Sequence, residues 1–322
     1  MHTPLHSAQS PLISFIITAN NLPENLLKEC LESVLSLSLS RQDRQIIVVD
    51  DGSDVPAANA FPPAELNEIT YIRQANQGLS EARNTGMRMA LGRYIQFIDG
   101  DDKLLRTPYE HCLDIIRYRE ADMVLFRLSD KETAETPYTY DGPVSGSAYM
   151  HTHNITGSAC SYLFRRGILG SLRFTKGIYC EDEEFTPQLL LRSENVFSTN
   201  ARAYLYRQRG GSITQNKDKE HVAKRLDDTL YIIKTLQDKA ETVPKNDRVA
   251  LQRRVAQLSM DYLHNVILLT HSRKQLHEAI QNLRERGLFP LPDKDYTHKY
   301  KAFRKLINTR IGRTILLLST WK

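Results

Sequence analysis

The chain has 322 residues, of which 41% are hydrophobic and 25% are charged, and its formal net charge is +5. These proportions are typical of a folded globular protein and exclude a chain that is disordered throughout. No apolar run approaches the roughly 20 residues that a membrane-spanning helix needs, which excludes a polytopic membrane protein. The four cysteines form no CxxC pair, so neither a zinc knuckle nor a disulfide framework is favoured, and a cytoplasmic setting is expected.

Strands and helices alternate over the first 130 residues. Near-continuous apolar runs predict strands that are buried on both faces, and apolar residues at helical spacing predict the helices between them. The expected strands are Leu12–Thr18, Ile46–Val49, Ile69–Ile72, Tyr94–Ile98 and Met123–Leu128, and the expected helices are Glu24–Leu37, Ser80–Leu91 and Thr107–Arg119. Such alternation with short links is typical of helices packed on a sheet, so an α/β fold with a mostly parallel sheet is predicted.

The pattern changes after Ser129. Residues 130–147 are rich in Thr, Tyr, Pro and Gly, which indicates a loop or short strands. A helix is expected at about Asp182–Arg192 and a strand within Asn195–Arg207. From Lys217 onward the apolar residues have helical spacing, and helices are expected at 219–240, 246–271, 273–286 and 298–318.

Acidic clusters follow two of the predicted strands. Asp50 and Asp51 end the second strand, and the segment Asp99–Asp102 ends the fourth. In an open parallel sheet these strand ends form the ligand-binding edge, and crowded carboxylates there are unfavourable unless a cation compensates them. Two carboxylates that flank one glycine could hold a hard cation such as Mg²⁺ or Mn²⁺, which would bridge phosphate oxygens. Each cluster by itself is also ordinary turn chemistry.

Other phosphate and metal motifs are excluded. Asp99–Asp102 does not begin an EF-hand calcium-binding loop, because the sixth position of that loop would be Leu104 rather than glycine. The chain contains neither a P-loop nor a GxGxxG sequence, so the usual ATP and NAD fingerprints are missing.

Taken together, several segments resemble the family 2 glycosyltransferases of the GT-A fold, which are inverting enzymes that use nucleotide sugars. The resemblance is carried by Ile13–Asn21 (ISFIITANN), Leu31–Leu35 (LESVL), Ile46–Ser53 (IIVVDDGS), Asn76–Gly86 (NQGLSEARNTG), Gly92–Asp102 (GRYIQFIDGDD) and Tyr179–Phe185 (YCEDEEF). It implies a GT-A catalytic domain over residues 1–215, with a nucleotide-sugar-binding half at about 12–127 and an acceptor half at about 128–215. Residues 216–322 are expected to form a helical C-terminal region.

The resemblance also implies roles for residues of the donor site. It places Thr18 and Asn20 at the nucleotide, although Ala19 and Asn20 stand where the family usually has Pro and Tyr, so stacking by that Tyr is lost. Either Asp50 or Asp51 is expected to accept a hydrogen bond from the base. The implied donor-site residues are Thr18, Asn20, Asp50, Asp51, Gly78, Arg83, Asp99, Asp102, Arg207 and Arg209.

Catalytic and metal-binding roles are implied for a smaller set. Asp99 and Asp101 resemble the metal-binding DxD pair, and Asp101 is favoured as the residue that binds the metal directly. Asp182 resembles the general base that takes the proton of the acceptor hydroxyl, and Glu181 is the alternative. Acidic residues at the start of a helix also compensate the helix dipole, so the pair has a structural explanation as well.

The last 24 residues combine basic and apolar side chains. Lys299–Lys322 contains seven basic residues and no acidic residue, interleaved with apolar residues. Such a segment can lie on an anionic membrane surface, or it can pack on the protein with a basic outer face. Nucleic-acid binding is not expected, because no nucleic-acid-binding motif accompanies the charge.

The resemblance therefore implies a metal-dependent transfer of one sugar, with inversion, from a nucleotide sugar, expected to be a UDP-sugar. The acceptor would be a saccharide or lipid-linked saccharide in surface polysaccharide assembly, in the cytoplasm or at the inner membrane face. A nucleotidyltransferase is one alternative, but Thr18–Leu22 lacks the Gly-rich basic loop that it needs. A catalytically inactive nucleotide-sugar-binding scaffold is the other, and the altered Ala19-Asn20 loop keeps it open.

Overall fold

The computed structural model describes residues 10–132, 137–208 and 218–319. These residues divide into two compact units. The first unit lies within residues 1–149, 156–177 and 181–209, and the second lies within residues 150–155, 178–180 and 210–322.

The described residues form nine strands and eleven α-helices, which we number in chain order. The strands are β1 (Ile13–Ala19), β2 (Arg44–Asp51), β3 (Ile69–Gln74), β4 (Tyr94–Asp99), β5 (Lys103–Leu104), β6 (Met123–Ser129), β7 (Tyr140–Val144), β8 (Tyr162–Arg165) and β9 (Val196–Leu205). The helices are α1 (Glu24–Leu35), α2 (Pro63–Leu66), α3 (Leu79–Met89), α4 (Arg106–Tyr118), α5 (Gly146–Thr152), α6 (Asp182–Leu190), α7 (Lys219–Ala240), α8 (Lys245–Thr270), α9 (Arg273–Glu285), α10 (His298–Ile307) and α11 (Arg310–Ser319).

One sheet forms the centre of the first unit. Its strand order is β3-β2-β1-β4-β8-β6-β9-β5, and β7 pairs with β9. The first four strands in that order are parallel, as predicted, whereas β8 is antiparallel to both β4 and β6. The predicted α/β fold is therefore confirmed, but the sequence pattern did not reveal that β5, β7 and β8 pair antiparallel with their neighbours.

The core lies where helices cover the parallel half of the sheet. β1 is buried along its whole length, and α1 buries Leu27, Leu31 and Val34. α3 approaches β1 closely, because a Cβ on Gly86 would lie 2.2 Å from Ile16 Cγ2. Glycine at that position lets the helix pack against the strand, which fixes the start of α3 at the carboxyl edge of the sheet.

The second unit is helical. Helices α7 and α8 pack against each other, and α9, α10 and α11 pack against α8. The final segment, 298–318, is helical as predicted but is divided into α10 and α11 around Asn308 and Thr309. None of the helices within the described ranges is both long enough and apolar enough to cross a membrane.

Candidate active site

The carboxyl ends of β1, β2 and β4 meet at one edge of the sheet. In the strand register Thr18 lies opposite Asp99 of β4, and Ala19 lies opposite Asp50 of β2. The two predicted acidic clusters therefore flank the loop that follows β1. Gly100 belongs to this contact, because its amide donates to the Thr18 carbonyl at 2.9 Å and a Cβ there would lie 2.8 Å from the same oxygen.

Asp50 organises the loop that follows β2. Its Oδ1 accepts a hydrogen bond from the Ser53 amide at 2.9 Å, and its Oδ2 accepts from the Tyr71 hydroxyl at 2.6 Å and the Ala57 amide at 3.0 Å. Burial by itself would raise the pKa of Asp50, but these hydrogen bonds outweigh it and hold the pKa below its ordinary value. Asp50 is thus ionised, and its hydrogen bonds hold this loop in place.

Asp51 organises the loop that leads into α3. Its carboxylate accepts hydrogen bonds from the amides of Gln77 (2.9 Å) and Gly78 (2.7 Å), and Gly78 has a φ of +88°, which favours glycine. Asn20 Nδ2 donates to the Asp51 carbonyl at 2.7 Å, which ties the loop after β1 to the same place. The predicted base-recognition residues therefore lie together and shape the walls of this edge.

Arg83 joins three carboxylates in the interior of the first unit. Its Nη1 lies 2.7 Å from Glu181 Oε1 and 2.6 Å from Asp182 Oδ1, and its Nη2 lies 3.0 Å from Asp99 Oδ1. Only 2% of Arg83 is exposed. Burial opposes its charge, but the surrounding carboxylates outweigh burial and raise the pKa of Arg83 further, so it stays a cation. The predicted metal-binding and base residues are therefore linked by one guanidinium group.

Glu181 and Asp182 lie at the start of α6. Besides its ion pair, Asp182 accepts a hydrogen bond on Oδ2 from the Ala159 amide at 3.0 Å. Burial, followed by the charge of Asp182, raises the pKa of Glu181 to about 7, although Arg83 opposes the change. Burial also raises the pKa of Asp182. Because the two carboxyls are close and share Arg83, their titrations are coupled.

Asp102 differs from its neighbours in the acidic segment. It is buried, its Oδ2 accepts from the Tyr204 hydroxyl at 2.8 Å, and its Oδ1 accepts from the Arg207 amide at 2.7 Å. Burial, with the nearby charges of Asp99 and Asp101, raises the pKa of Asp102 to about 7 despite those hydrogen bonds. Both oxygens of Asp102 are thus engaged by the protein, and its part in this site is to hold the loop after β4.

Tyr204 is a site residue that the sequence analysis missed. Its hydroxyl donates to Asp102 and also accepts a hydrogen bond from the Asp99 amide at 3.1 Å. It lies on β9, some 100 residues away along the chain. In the sequence Tyr204 is only an apolar residue within a predicted strand, which is equally typical of an ordinary core tyrosine.

The predicted basic loop is described in part. Arg207 Nη1 donates to the Asp101 carbonyl at 3.3 Å, and its guanidinium also pairs with Glu29 of α1. Arg207 is therefore placed beside the acidic segment, as a diphosphate-binding residue would need to be. Arg209 lies outside the described residues.

The residues at the end of β4 fit a divalent cation. The Asp99 side chain is 31% exposed and Asp101 is partly exposed, so both side chains are accessible to solvent. The carboxylates of Asp102, Asp101 and Asp99 make the local electrostatic field negative. Burial and this field together raise the pKa of Cys30, which lies beneath them. Within the described ranges no group of three or more His, Cys, Asp or Glu side chains has an arrangement that could hold a metal ion by itself. Oxygens of a bound diphosphate and water would complete the coordination, as is usual for Mg²⁺.

Known sequences resemble this chain over its first unit. A model described as glycosyl transferase family 2 matches residues 14–169. The uncharacterized glycosyltransferase EpsJ of Bacillus subtilis is 32% identical in an alignment of 221 positions that covers 64% of this chain and 63% of EpsJ. The poly(ribitol-phosphate) beta-glucosyltransferase of Bacillus spizizenii is 24% identical in an alignment of 202 positions that covers 60% of this chain and 32% of that protein. The chain thus spans less than two thirds of the length of these relatives.

Solved structures resemble this chain at low sequence identity. TarS of S. aureus in complex with UDP-GlcNAc has a TM-score of 0.69 and 16% identity, over 96% of this chain and 89% of that structure. The mannosyltransferase PcManGT of Pyrobaculum calidifontis, in complex with GDP-Man and Mn²⁺, has a TM-score of 0.57 and 14% identity, over 98% of this chain and 89% of that structure. The predicted GT-A fold is confirmed, and residues 14–169 match the predicted family, the family 2 glycosyltransferases.

Proposed function

We propose that this glycosyltransferase moves one sugar from a nucleotide sugar, a UDP-sugar, to a hydroxyl of a saccharide or lipid-linked saccharide, with inversion at the anomeric carbon. The observation that carries the proposal is the arrangement around Arg83. One buried guanidinium holds Asp99, which belongs to the acidic segment after β4, and the carboxyl pair Glu181 and Asp182. An inverting transfer needs these two groups of carboxylates, one near the leaving diphosphate and one near the acceptor.

The donor nucleotide is assigned to the edge formed by the loops after β1 and β2. A cavity of about 480 Å³ lies there, lined by residues of both loops that include Asn21, Leu22, Ser53 and Val55. This volume is within the usual range of small-ligand sites. TarS is known with UDP-GlcNAc and PcManGT with GDP-Man, which supports a nucleotide sugar as the donor class.

Asp99 and Asp101 are assigned to a Mg²⁺ or Mn²⁺ ion. A bound divalent cation would supply positive charge for the departing diphosphate. Arg207, which already lies against Asp101, would add a second positive charge on the same side. Asp102 and Tyr204 hold the loop that carries these residues in place.

Asp182 is assigned as the general base, with Glu181 as the alternative. The base takes the proton of the acceptor hydroxyl while the hydroxyl oxygen bonds to the anomeric carbon. The bond from that carbon to the diphosphate oxygen breaks, and UDP leaves with the electron pair. A raised pKa suits this role, because a base works best when its pKa is close to the working pH.

We assign this chemistry to residues 1–215 and treat residues 216–322 as the helical C-terminal region. The relatives include enzymes named for polymers of the cell surface, such as the poly(ribitol-phosphate) beta-glucosyltransferase. Surface polysaccharide assembly in the cytoplasm, at the inner membrane face where the acceptor is lipid-linked, is the setting that we propose.

UDP binding is expected to depend on the metal and on Asp101. Titration calorimetry of the full chain should give a Kd for UDP that is at least about tenfold lower with Mn²⁺ than with a chelator, since Asp99 and Asp101 would hold a cation whose positive charge attracts the diphosphate. Asp101→Asn should remove most of that difference. Asp114→Asn on the exposed face of α4 removes the same charge and should leave it intact. UDP affinity that is equal with and without metal in the wild type would contradict the metal assignment.

A further inference from the structure

The helical C-terminal unit has a cavity of its own between α9 and α11. It has a volume of about 430 Å³, and four arginines surround it. Arg273 and Arg284 come from α9, and Arg310 and Arg313 come from α11. Buried apolar side chains, among them Leu276 and Ile280, form its floor. The cavity therefore combines a strongly cationic rim with an apolar base.

These four arginines have no carboxylate partners in the parts of the chain that the structure describes. Arg273 Nη2 lies 3.4 Å from the Thr314 hydroxyl, and Arg284 and Arg313 both lie 5.6 Å from the ring of Phe289. Ring contacts of this kind position the guanidinium groups but leave their charge uncompensated. Burial lowers the pKa of Arg313, and the neighbouring charges of Arg284 and Arg310 lower it further.

The acidic residues nearby do not relieve this charge. Helix α11 contains no acidic residue, and in α9 the acidic residues are Glu278 and Glu285. By helical spacing these two lie on the side of α9 away from the cavity-facing positions 273, 276, 280 and 284. Glu278 is instead 3.8 Å from Lys274. The chemistry of the cavity therefore fits an anionic ligand.

A ridge of exposed apolar side chains runs beside the arginines. Ile311, Ile315 and Leu318 are 77%, 49% and 66% exposed, and their spacing places them on one face of α11. By helical spacing Arg310 lies about 110° around α11 from this ridge, and Arg313 lies almost opposite it, on the side that faces the cavity. Exposed apolar residues next to a cationic face are typical of helices that lie in the interface of an anionic membrane.

We infer that α9 and α11 form a docking surface for an anionic lipid bilayer, in which lipid phosphates enter the arginine-lined cavity and Ile311, Ile315 and Leu318 insert among the acyl chains. A soluble phosphate would satisfy the arginines but would leave the apolar ridge in water, and a nucleic acid has no apolar interior for it. The surface would hold the enzyme at a membrane, independently of which donor the first unit uses.

Vesicle co-sedimentation of the full chain tests this inference. We expect binding to vesicles made of equal parts phosphatidylcholine and phosphatidylglycerol, and little binding to phosphatidylcholine alone. The double variant Arg310→Gln with Arg313→Gln should bind about tenfold to thirtyfold more weakly, because each basic residue near the surface adds a comparable share. Lys239→Gln with Lys245→Gln, which removes the same charge from exposed positions elsewhere in this unit, should bind within about threefold of wild type.

A second variant separates lipid from other anions. Ile311→Ser with Leu318→Ser keeps every charge and alters exposed positions, so the fold should be retained, and vesicle binding should fall about tenfold. UDP binding by each variant serves as an independent check of folding. Wild-type failure to bind anionic vesicles, or equal binding by the arginine or apolar variants, would overturn the inference. Binding of inorganic phosphate or a short RNA duplex in place of vesicles would overturn it as well.

Discussion

Asp182→Asn is expected to lower kcat by about 10²–10⁴-fold, the usual contribution of a general base. The substitution preserves the shape of the side chain and its hydrogen bond from the Ala159 amide, but it removes the group that accepts the proton. The affinity for UDP should stay within about threefold, because the donor nucleotide is assigned to other loops. Steady-state kinetics together with UDP titration measure both quantities.

Glu181→Gln distinguishes between the two candidate bases. Glu181 is the more buried of the pair, with 9% of its side chain exposed against 16% for Asp182, which favours Asp182 as the group that reaches the acceptor. Glu181→Gln should therefore lower kcat less than Asp182→Asn does. The opposite order would move the base to Glu181, and an unchanged kcat in both variants would remove the base from this pair.

The same assignment predicts the pH dependence of kcat/KM. The base acts in its deprotonated form, and burial raises the pKa of the pair, to about 7 for Glu181. Activity should therefore be lost on the acidic side at a pH well above the value near 4 at which an ordinary aspartate or glutamate takes up its proton. A profile that stays flat down to pH 5 would contradict it.

Arg83→Met is expected to destabilise the fold by about 3–5 kcal/mol, the usual effect of removing one partner from a buried ion pair. Asp99, Glu181 and Asp182 would then face one another without the cation that compensates them. Urea unfolding measures the change. Arg88→Met, on the same helix but with a side chain that is 52% exposed and paired with Glu81, should cost about 1 kcal/mol or less.

Arg83→Lys tests how much of that effect depends on the shape of the guanidinium. Lysine keeps the charge but cannot present the two nitrogens with which Arg83 contacts the two groups of carboxylates. We expect a smaller loss of stability than in Arg83→Met. The kcat should still be lowered, because Asp182 and Asp99 are no longer held in their positions relative to each other. Stability of Arg83→Met equal to that of Arg88→Met would show that the three carboxylates do not depend on Arg83.

The parallel half of the fold could be predicted because its signals are local. The runs that form β1, β2 and β4 are apolar throughout, and each acidic segment follows its strand directly, so the edge at which they meet follows from the fold class. The pairing of β8 between β4 and β6 could not be predicted, since nothing in Tyr162–Arg165 specifies an antiparallel partner. The turn that leads into that strand places Ala159 against Asp182 and Cys160 against Arg83.

The site residues divide in the same way. Asp99, Asp101 and Asp182 were found because they lie in recognisable segments, and their roles stay predictions. Arg83 was predicted to lie in the donor site, but its contacts with Glu181 and Asp182 were not predicted, because they join residues almost 100 positions apart. Tyr204 could not be distinguished from a core tyrosine. Likewise the C-terminal basic segment was visible in the sequence, but its partners Arg273 and Arg284 on α9 were not.

Proton NMR of donor hydrolysis tests the proposed transfer most directly. The full chain would be mixed with Mn²⁺ and each of a panel of UDP- and GDP-sugars, and the anomeric proton of the released sugar would be followed from the first minutes, before mutarotation. With water as the acceptor, we expect slow, metal-dependent release from one UDP-sugar, with the first product of opposite anomeric configuration to the donor and no product from Asp182→Asn. Release with retained configuration, or no binding and no turnover of any nucleotide sugar, would contradict it.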